Sequence, residues 1–369
     1  MNLKTEQIKM EFKAPFYVKT SLVLIGLFVF ISMLYIAQQI IVPIIYSTIV
    51  AVVLSPVVNF LVRKKLNRIV AIAITISFGS LATILFIVLL SQQVIQFGDT
   101  FDKLNESLHQ LLNQTVAWVS STFNISTHKI NVWLTAKNTE MLNGAVSIMG
   151  QTIMNAGSVL IALVLIPVYI FMILFYQPLL LEFIHRLFSA DKHTDVNEVL
   201  TATKKIIRSY LIGLLIEGLI VAALNSIGLL IIGIDYAILL GIIGAILNVI
   251  PYIGGIIAVA LPMLIALATK SPMYALLVLG AYILIQFIDN HYLIPKVVAS
   301  KVKINALISV IVVLLGGALW GVPGMFLSIP LTAIIKVIFD HIEPLKPWGY
   351  LLGNNVPETQ NLSLIKNKI

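Results

Sequence analysis

Six polar residues lie in or beside long apolar runs, where a charge or a strong dipole needs a reason to be. Glu217 sits within the run 209–232 and Asn225 eight positions later. Asn248 precedes a Pro/Gly-rich break, and Gln286, Asp289 and Asn290 close the run that begins at Met273. An ionisable side chain at the centre of a bilayer costs about 3 kcal/mol on insertion scales, so a carboxylate there is kept for binding or for pairing between helices. Glu217 has the chemistry to hold a proton or Na⁺ and to couple that event to cargo movement; a helix-pairing or interfacial carboxylate is the structural alternative. The amides and Asp289 offer oxygens and N–H donors near two broken segments, where they could face a solute or bridge neighbouring helices.

Those broken segments supply a second set of candidates. Pro251, Gly254 and Gly255 divide the run 236–268, and Gly321, Pro323 and Gly324 divide the run 304–335. Glycine permits conformations and close backbone approaches that other residues resist, which suits the tip of a helical hairpin and could also admit a ligand. A straight helix over the second run would be about 48 Å long against about 30 Å of hydrocarbon, so re-entrant or broken hairpins are the economical reading of both.

The elements that must position these residues are legible in the composition. Hydrophobic residues make up 59% of the 369 and charged residues only 11%, with a mean hydropathy of +1.01. No water-soluble fold could hide that much apolar surface. The fold class expected is all-α, a polytopic transmembrane helical protein with two re-entrant or broken hairpins. The basic tail before Ser21 resembles the start of a signal peptide, but no small-residue cleavage site follows and Gln38-Gln39 leads straight into a second run, so an uncleaved first span is expected.

The formal charge of +8 reads as topology and not as affinity for nucleic acid, because the basic residues cluster between apolar runs. Arg63, Lys64, Lys65 and Arg68 form the strongest orientation signal and place the N-terminus and this loop in the cytoplasm, where the C-terminus is expected too. The expected organisation is a cytoplasmic tail (1–20), three spans (21–91), an extracytoplasmic amphipathic helical segment (92–152), a fourth span and cytoplasmic loop (153–208), a transport unit (209–340) and a C-terminal tail (341–369). Sequons at Asn105, Asn113 and Asn124 are of a frequency expected by chance. Within 209–340, two units of opposite orientation each pair a span with a broken segment, a pattern that points to a secondary transporter's binding site.

Other chemistries find little support. There is no cysteine, the six histidines show no metal-binding spacing, and no phosphate-cradling G-x-x-x-x-G-K-[ST] sequence occurs. Hence no cofactor, no metal and no ATP hydrolysis are expected. An intramembrane enzyme would need paired catalytic groups on facing spans, and no convincing set is present. A non-transporting scaffold binding a partner through 92–152 is a further alternative, against which the paired broken segments speak.

Three motifs then converge: Asn248-Val249-Ile250-Pro251-Tyr252-Ile253-Gly254-Gly255, the Asp289-Asn290-x4-Pro295 element, and Gly316-Gly317-Ala318-Leu319-Trp320-Gly321-Val322-Pro323-Gly324 followed by Pro330. Together they resemble the autoinducer-2 exporter family of bacterial membrane permeases. The resemblance implies an inner-membrane permease that exports a small solute such as the autoinducer-2 quorum signal, gradient-driven or passive, with a hairpin-bearing unit moving against a scaffold. Some relatives resemble sodium(lithium)/proton antiporters, so that reading stays open. The partners implied are the lipid bilayer, a small solute or ion and further copies of the chain, with a pentamer as the suggested assembly.

Overall fold

A computed structural model describes residues 15–123, 126, 156–248, 254–298 and 304–354. The described chain is built from helices: α1 (Phe16–Ile36), α2 (Gln38–Arg63), α3 (Arg68–Phe123), α4 (Ala156–Phe175), α5 (Gln177–Arg186), α6 (His193–Ile232), α7 (Ala237–Asn248), α8 (Gly254–Thr269), α9 (Pro272–Ile288), α10 (Ala306–His341) and α11 (Lys346–Leu352). Among the described residues, six helices are long and apolar enough to cross a membrane, and α4 with α5 forms a further pair bent by 60°. Their outward faces carry Phe28, Phe78, Leu219 and Ile231, each more than 70% exposed, and no residue of α1 is buried. Only a lipid environment accommodates such a surface, so the chain is a multi-pass helical membrane protein.

Two packed bodies make up the bundle. Ala51 and Val58 of α2 meet Ala71 and Ile72 of α3 and Ile170 and Leu174 of α4. Leu229 of α6, Leu240 of α7, Ile265 of α8 and Val278 of α9 form the core of the other. Contact between them runs through Ile49, Ile207 and Leu327.

Both broken segments fold back on themselves. In α10 the backbone leaves helical geometry at Trp320 (φ −133°, ψ 15°) and Gly321 (φ 64°, ψ −145°). Beyond that point the chain returns beside itself: a Cβ at Gly316 would lie 2.5 Å from the Gly324 carbonyl oxygen, and one at Gly324 only 2.0 Å from that of Gly316. Eight residues of straight helix would hold these positions about 12 Å apart. The first hairpin closes similarly, since a Cβ at Gly254 would meet the Leu247 carbonyl oxygen at 1.8 Å and one at Gly244 would touch Ala258. Its tip residue Pro251 lies outside the described residues, as do 1–14, 127–155, 299–303 and 355–369 with the expectations placed on them.

Two boundaries differ from those read in the sequence. The third span was expected to stop near Leu90, with separate amphipathic helices beyond it. Instead α3 is one helix of 56 residues, about 84 Å long at 1.5 Å per residue, because Ser91-Gln92-Gln93 holds no breaker and the stretch contains no proline. Likewise, 177–208 was expected to be a loop with the fifth span starting at Ser209. The chain bends at Tyr176 into α5, and α6 begins at His193, 16 residues before the apolar run. Asp195 in its first turn suits the helix dipole, and residues 193–208 contain neither Pro nor Gly, so the helix extends from the span past the membrane edge. Its far end stops at Gly233 (φ 78°), whose N–H caps the Leu229 and Leu230 carbonyls.

Candidate functional site

One stripe of α6 is turned inward: Tyr210, Gly213, Glu217, Val221, Asn225 and Leu229, spaced by three or four residues. This periodicity takes Glu217 and Asn225 off the lipid face and points them at the hairpin α7–α8 and at α9. Close approach is built into the sequence at Gly241 of α7, where a Cβ would lie 2.6 Å from the Ser226 backbone nitrogen. One turn further, Gly244 sits between two polar side chains: its Cβ would be 3.1 Å from both Asn225 Nδ2 and Tyr282 Oη.

The opposing wall comes from α9 and its continuation. Tyr282, Gln286 and Asp289 are four and three residues apart and share a face. From Asp289 to Val298 the helix widens into a π-helical turn that contains Pro295. Proline lacks the N–H that a regular helix would use and its ring crowds the carbonyl four residues back, which gives the widening a local cause. Asp289 is fully buried.

At the hairpin tip, Asn248 Nδ2 donates to Asp289 Oδ2 at 2.8 Å. A Cβ at Gly255 would fall 3.1 Å from Gln286 Oε1 and 3.8 Å from Asn248 Oδ1, so the start of α8 rests against both amides. Asp289 Oδ1, Asn225 Oδ1 and Tyr282 Oη are buried without a hydrogen-bond partner among the described residues. Glu217, 6% exposed, lies close enough to Asp289 for the two carboxylates to interact electrostatically. Neither forms an ion pair among the described residues.

Of the six polar candidates, the structure gathers Asn248, Gln286 and Asp289 at the first hairpin tip and places Glu217 and Asn225 on the inward stripe of α6. Asn290 is exposed and stands apart. Gly254 and Gly255 serve the tip as close-contact positions. The second tip does something else. Gly321 and Pro323 are exposed, and this tip is fastened to the first two helices: Trp320 Nε1 donates to the Leu34 carbonyl at 3.0 Å and Tyr46 Oη to the Pro323 carbonyl at 3.2 Å. Tyr46 also stacks on Phe326 at 5.6 Å between ring centroids. Because Leu34 lies two residues from the end of α1, this hairpin reaches the level of the α1–α2 turn. Gly324 is buried against Gly316, a packing role.

Tyr282 and Gly244 were missed in the sequence. Tyr282 could have been found as the residue one turn before Gln286 on the Asp289 face, whereas the place of Gly244 depends on a tertiary contact.

No group of three His, Cys, Asp or Glu gathers among the described residues. The cluster therefore offers carboxylate, amide and phenol oxygens, a donor set suited to a proton, to a hard monovalent cation, or to a small solute rich in hydroxyls.

Comparison with known proteins gives a concordant result. A family model described as AI-2E family transporter matches residues 24–343. The chain is 26% identical to YrrI of Bacillus subtilis (strain 168) over 320 residues, 82% of this chain and 87% of that protein, whose name carries transport and no cargo. It is 24% identical to the AI-2 transport protein TqsA of Escherichia coli (strain K12), over 82% of this chain and 86% of that one.

Proposed function

The chain belongs to the AI-2E family of transporters, and from that membership and the buried polar cluster we propose that it is a permease exporting a small solute such as autoinducer-2 across the bacterial inner membrane. The observation that carries this reading is the pair Glu217 and Asp289, buried within apolar helices beside the first hairpin, with Asp289 Oδ1 lacking a hydrogen-bond partner among the described residues. A carboxylate there needs a proton, a cation or a donor from a solute, and so becomes a binding position. Positive-inside reasoning puts both termini in the cytoplasm. The division into two bodies supports a hairpin-bearing unit that moves against α1–α4, and further copies of the chain would hold the scaffold in place.

Sodium(lithium)/proton antiport is the second reading. One observation favours it: two interacting carboxylates have no cationic partner among the described residues, which suits exchange of a proton for a metal cation. The test is flux in proteoliposomes carrying the purified protein, challenged in turn with Na⁺, Li⁺ and the autoinducer-2 signal while proton movement and signal uptake are both followed. Signal flux without cation-dependent proton movement supports the exporter, and the converse supports the antiporter. Silence in all three overturns both.

A further inference from the structure

Away from the carboxylates, a cavity of about 750 Å³ opens between α2, the α4–α5 bend and α6. That size is ample for a small ligand. Its lining is segregated. Lys204, Lys205 and Arg208 of α6 line it together with Asn59 and Gln177, while Ala51, Val52, Ile173 and Ile216 supply an aliphatic wall. Along α6 the distance from Lys204 to Ile216 is about 18 Å, so charge sits at one end and hydrocarbon at the other. No Asp or Glu lines the space, and none of the three cations has a hydrogen bond or ion pair with a described residue. Behind Gln177 stands a fourth cation: Arg68 donates to the Leu174 carbonyl at 2.8 Å and to Gln177 Oε1 at 3.4 Å, and its Nε is buried without a partner among the described residues. Arg63, Lys64 and Lys65 occupy the turn next to it in sequence, so the charged end belongs to the basic end of the bundle.

We propose that this cavity binds an anionic phospholipid, its phosphate held by Lys204, Lys205 and Arg208 and an acyl chain laid along the wall toward Ile216. Ammonium groups and the guanidinium fork match phosphate oxygens, and basic pockets between spans are suited to acidic lipid headgroups. A free phosphate-bearing solute shares the headgroup chemistry but would leave the aliphatic wall uncovered, which is why a lipid is the better occupant. Held there, the lipid would bridge α2 and α4 to α6, the seam between the two bodies.

Native mass spectrometry of the full-length protein in non-ionic detergent tests this, with phosphatidylglycerol, phosphatidylcholine and glycerol phosphate as probes. Phosphatidylglycerol should be retained about tenfold or more over phosphatidylcholine. The triple variant Lys204→Gln, Lys205→Gln, Arg208→Gln should lose that preference. Arg63→Gln with Lys64→Gln and Lys65→Gln, which removes equal charge from outside the cavity, should keep it. Val52→Trp, adding bulk at the wall, should weaken retention of phosphatidylglycerol without touching a charge. The proposal is overturned if the first triple variant keeps the preference, if both triple variants lose it equally, or if glycerol phosphate displaces the lipid at matching concentration. A change of oligomeric mass with no lipid retained would assign the cavity to a second copy of the chain and overturn it as well.

Discussion

Gly316→Ala separates a folded-back α10 from a straight one. A Cβ at this position falls 2.5 Å from the Gly324 carbonyl oxygen, 2.9 Å from its carbonyl carbon and 2.1 Å from Ser328 Oγ. The hydroxyl is itself held, donating to the Gly324 carbonyl at 2.6 Å. Carbon and oxygen in contact settle at about 3.3 Å or more, so the two halves must part by nearly an ångström where they are closest. Overpacking of that kind costs about 1–3 kcal/mol, enough to lower the melting midpoint of the purified protein in detergent by a few degrees. Gly280→Ala is the matched control: it lies in α9 with nothing within 4 Å of its Cβ, and alanine is favoured over glycine in a helix by up to about 1 kcal/mol. Thermal unfolding followed by tryptophan fluorescence reads both. If Gly316→Ala melts at or above the temperature of Gly280→Ala, the halves do not touch and the hairpin is wrong.

Other expectations follow from single contacts. Asn248→Ala removes the donor to Asp289 Oδ2 and should destabilise the protein by about 1–3 kcal/mol in chemical denaturation, with Asn248→Gln recovering part of the loss. Trp320→Phe keeps an aromatic ring but loses the indole N–H that donates to the Leu34 carbonyl, a cost of about 1 kcal/mol or more that should appear as faster proteolysis near the α1–α2 turn. Gly321→Ala forces a methyl group onto a backbone at φ 64°, ψ −145°, and should lower the melting midpoint by the equivalent of about 1–3 kcal/mol even though open space surrounds the site. Outside the spans, His185 has Nδ1 2.8 Å from the Leu181 carbonyl and Nε2 2.9 Å from Asn197 Oδ1. These acceptors, Leu181 first, push its pKa above the usual histidine value. The raised value means stability that is fully present below the unfolded-state pKa and fades as pH rises through the folded one, so melting midpoints from pH 5.5 to 8.5 should fall, and His185→Gln should flatten the fall.

The broad architecture was legible because the apolar runs are long and the basic clusters short. Residues 304–335 are too long for one straight crossing and carry a Trp-Gly-x-Pro-Gly break, and the structure folds there. The inward stripe of α6 could also be read, since Glu217 and Asn225 are eight residues apart and share a helix face. What escaped the sequence depends on tertiary approach: that Gly244 lies against Asn225 and Tyr282, and that the second tip anchors to Leu34 and Tyr46 instead of joining the polar cluster. Helix ends at the membrane edge were misplaced for a different reason. Hydropathy reports where the apolar face stops, but backbone hydrogen bonding continues until a breaker intervenes, so α3 and α6 run on into polar sequence.

Glu217→Gln and Asp289→Asn, each compared with the unchanged protein in proteoliposomes at matched incorporation and melting midpoint, give the most direct test of transport through the buried cluster. Each variant keeps the shape of the side chain while removing its negative charge, and flux of the solute or of cation-coupled protons should drop at least tenfold in both. Undiminished flux in both, with the fold intact, would contradict the central claim and move the pathway away from Glu217 and Asp289.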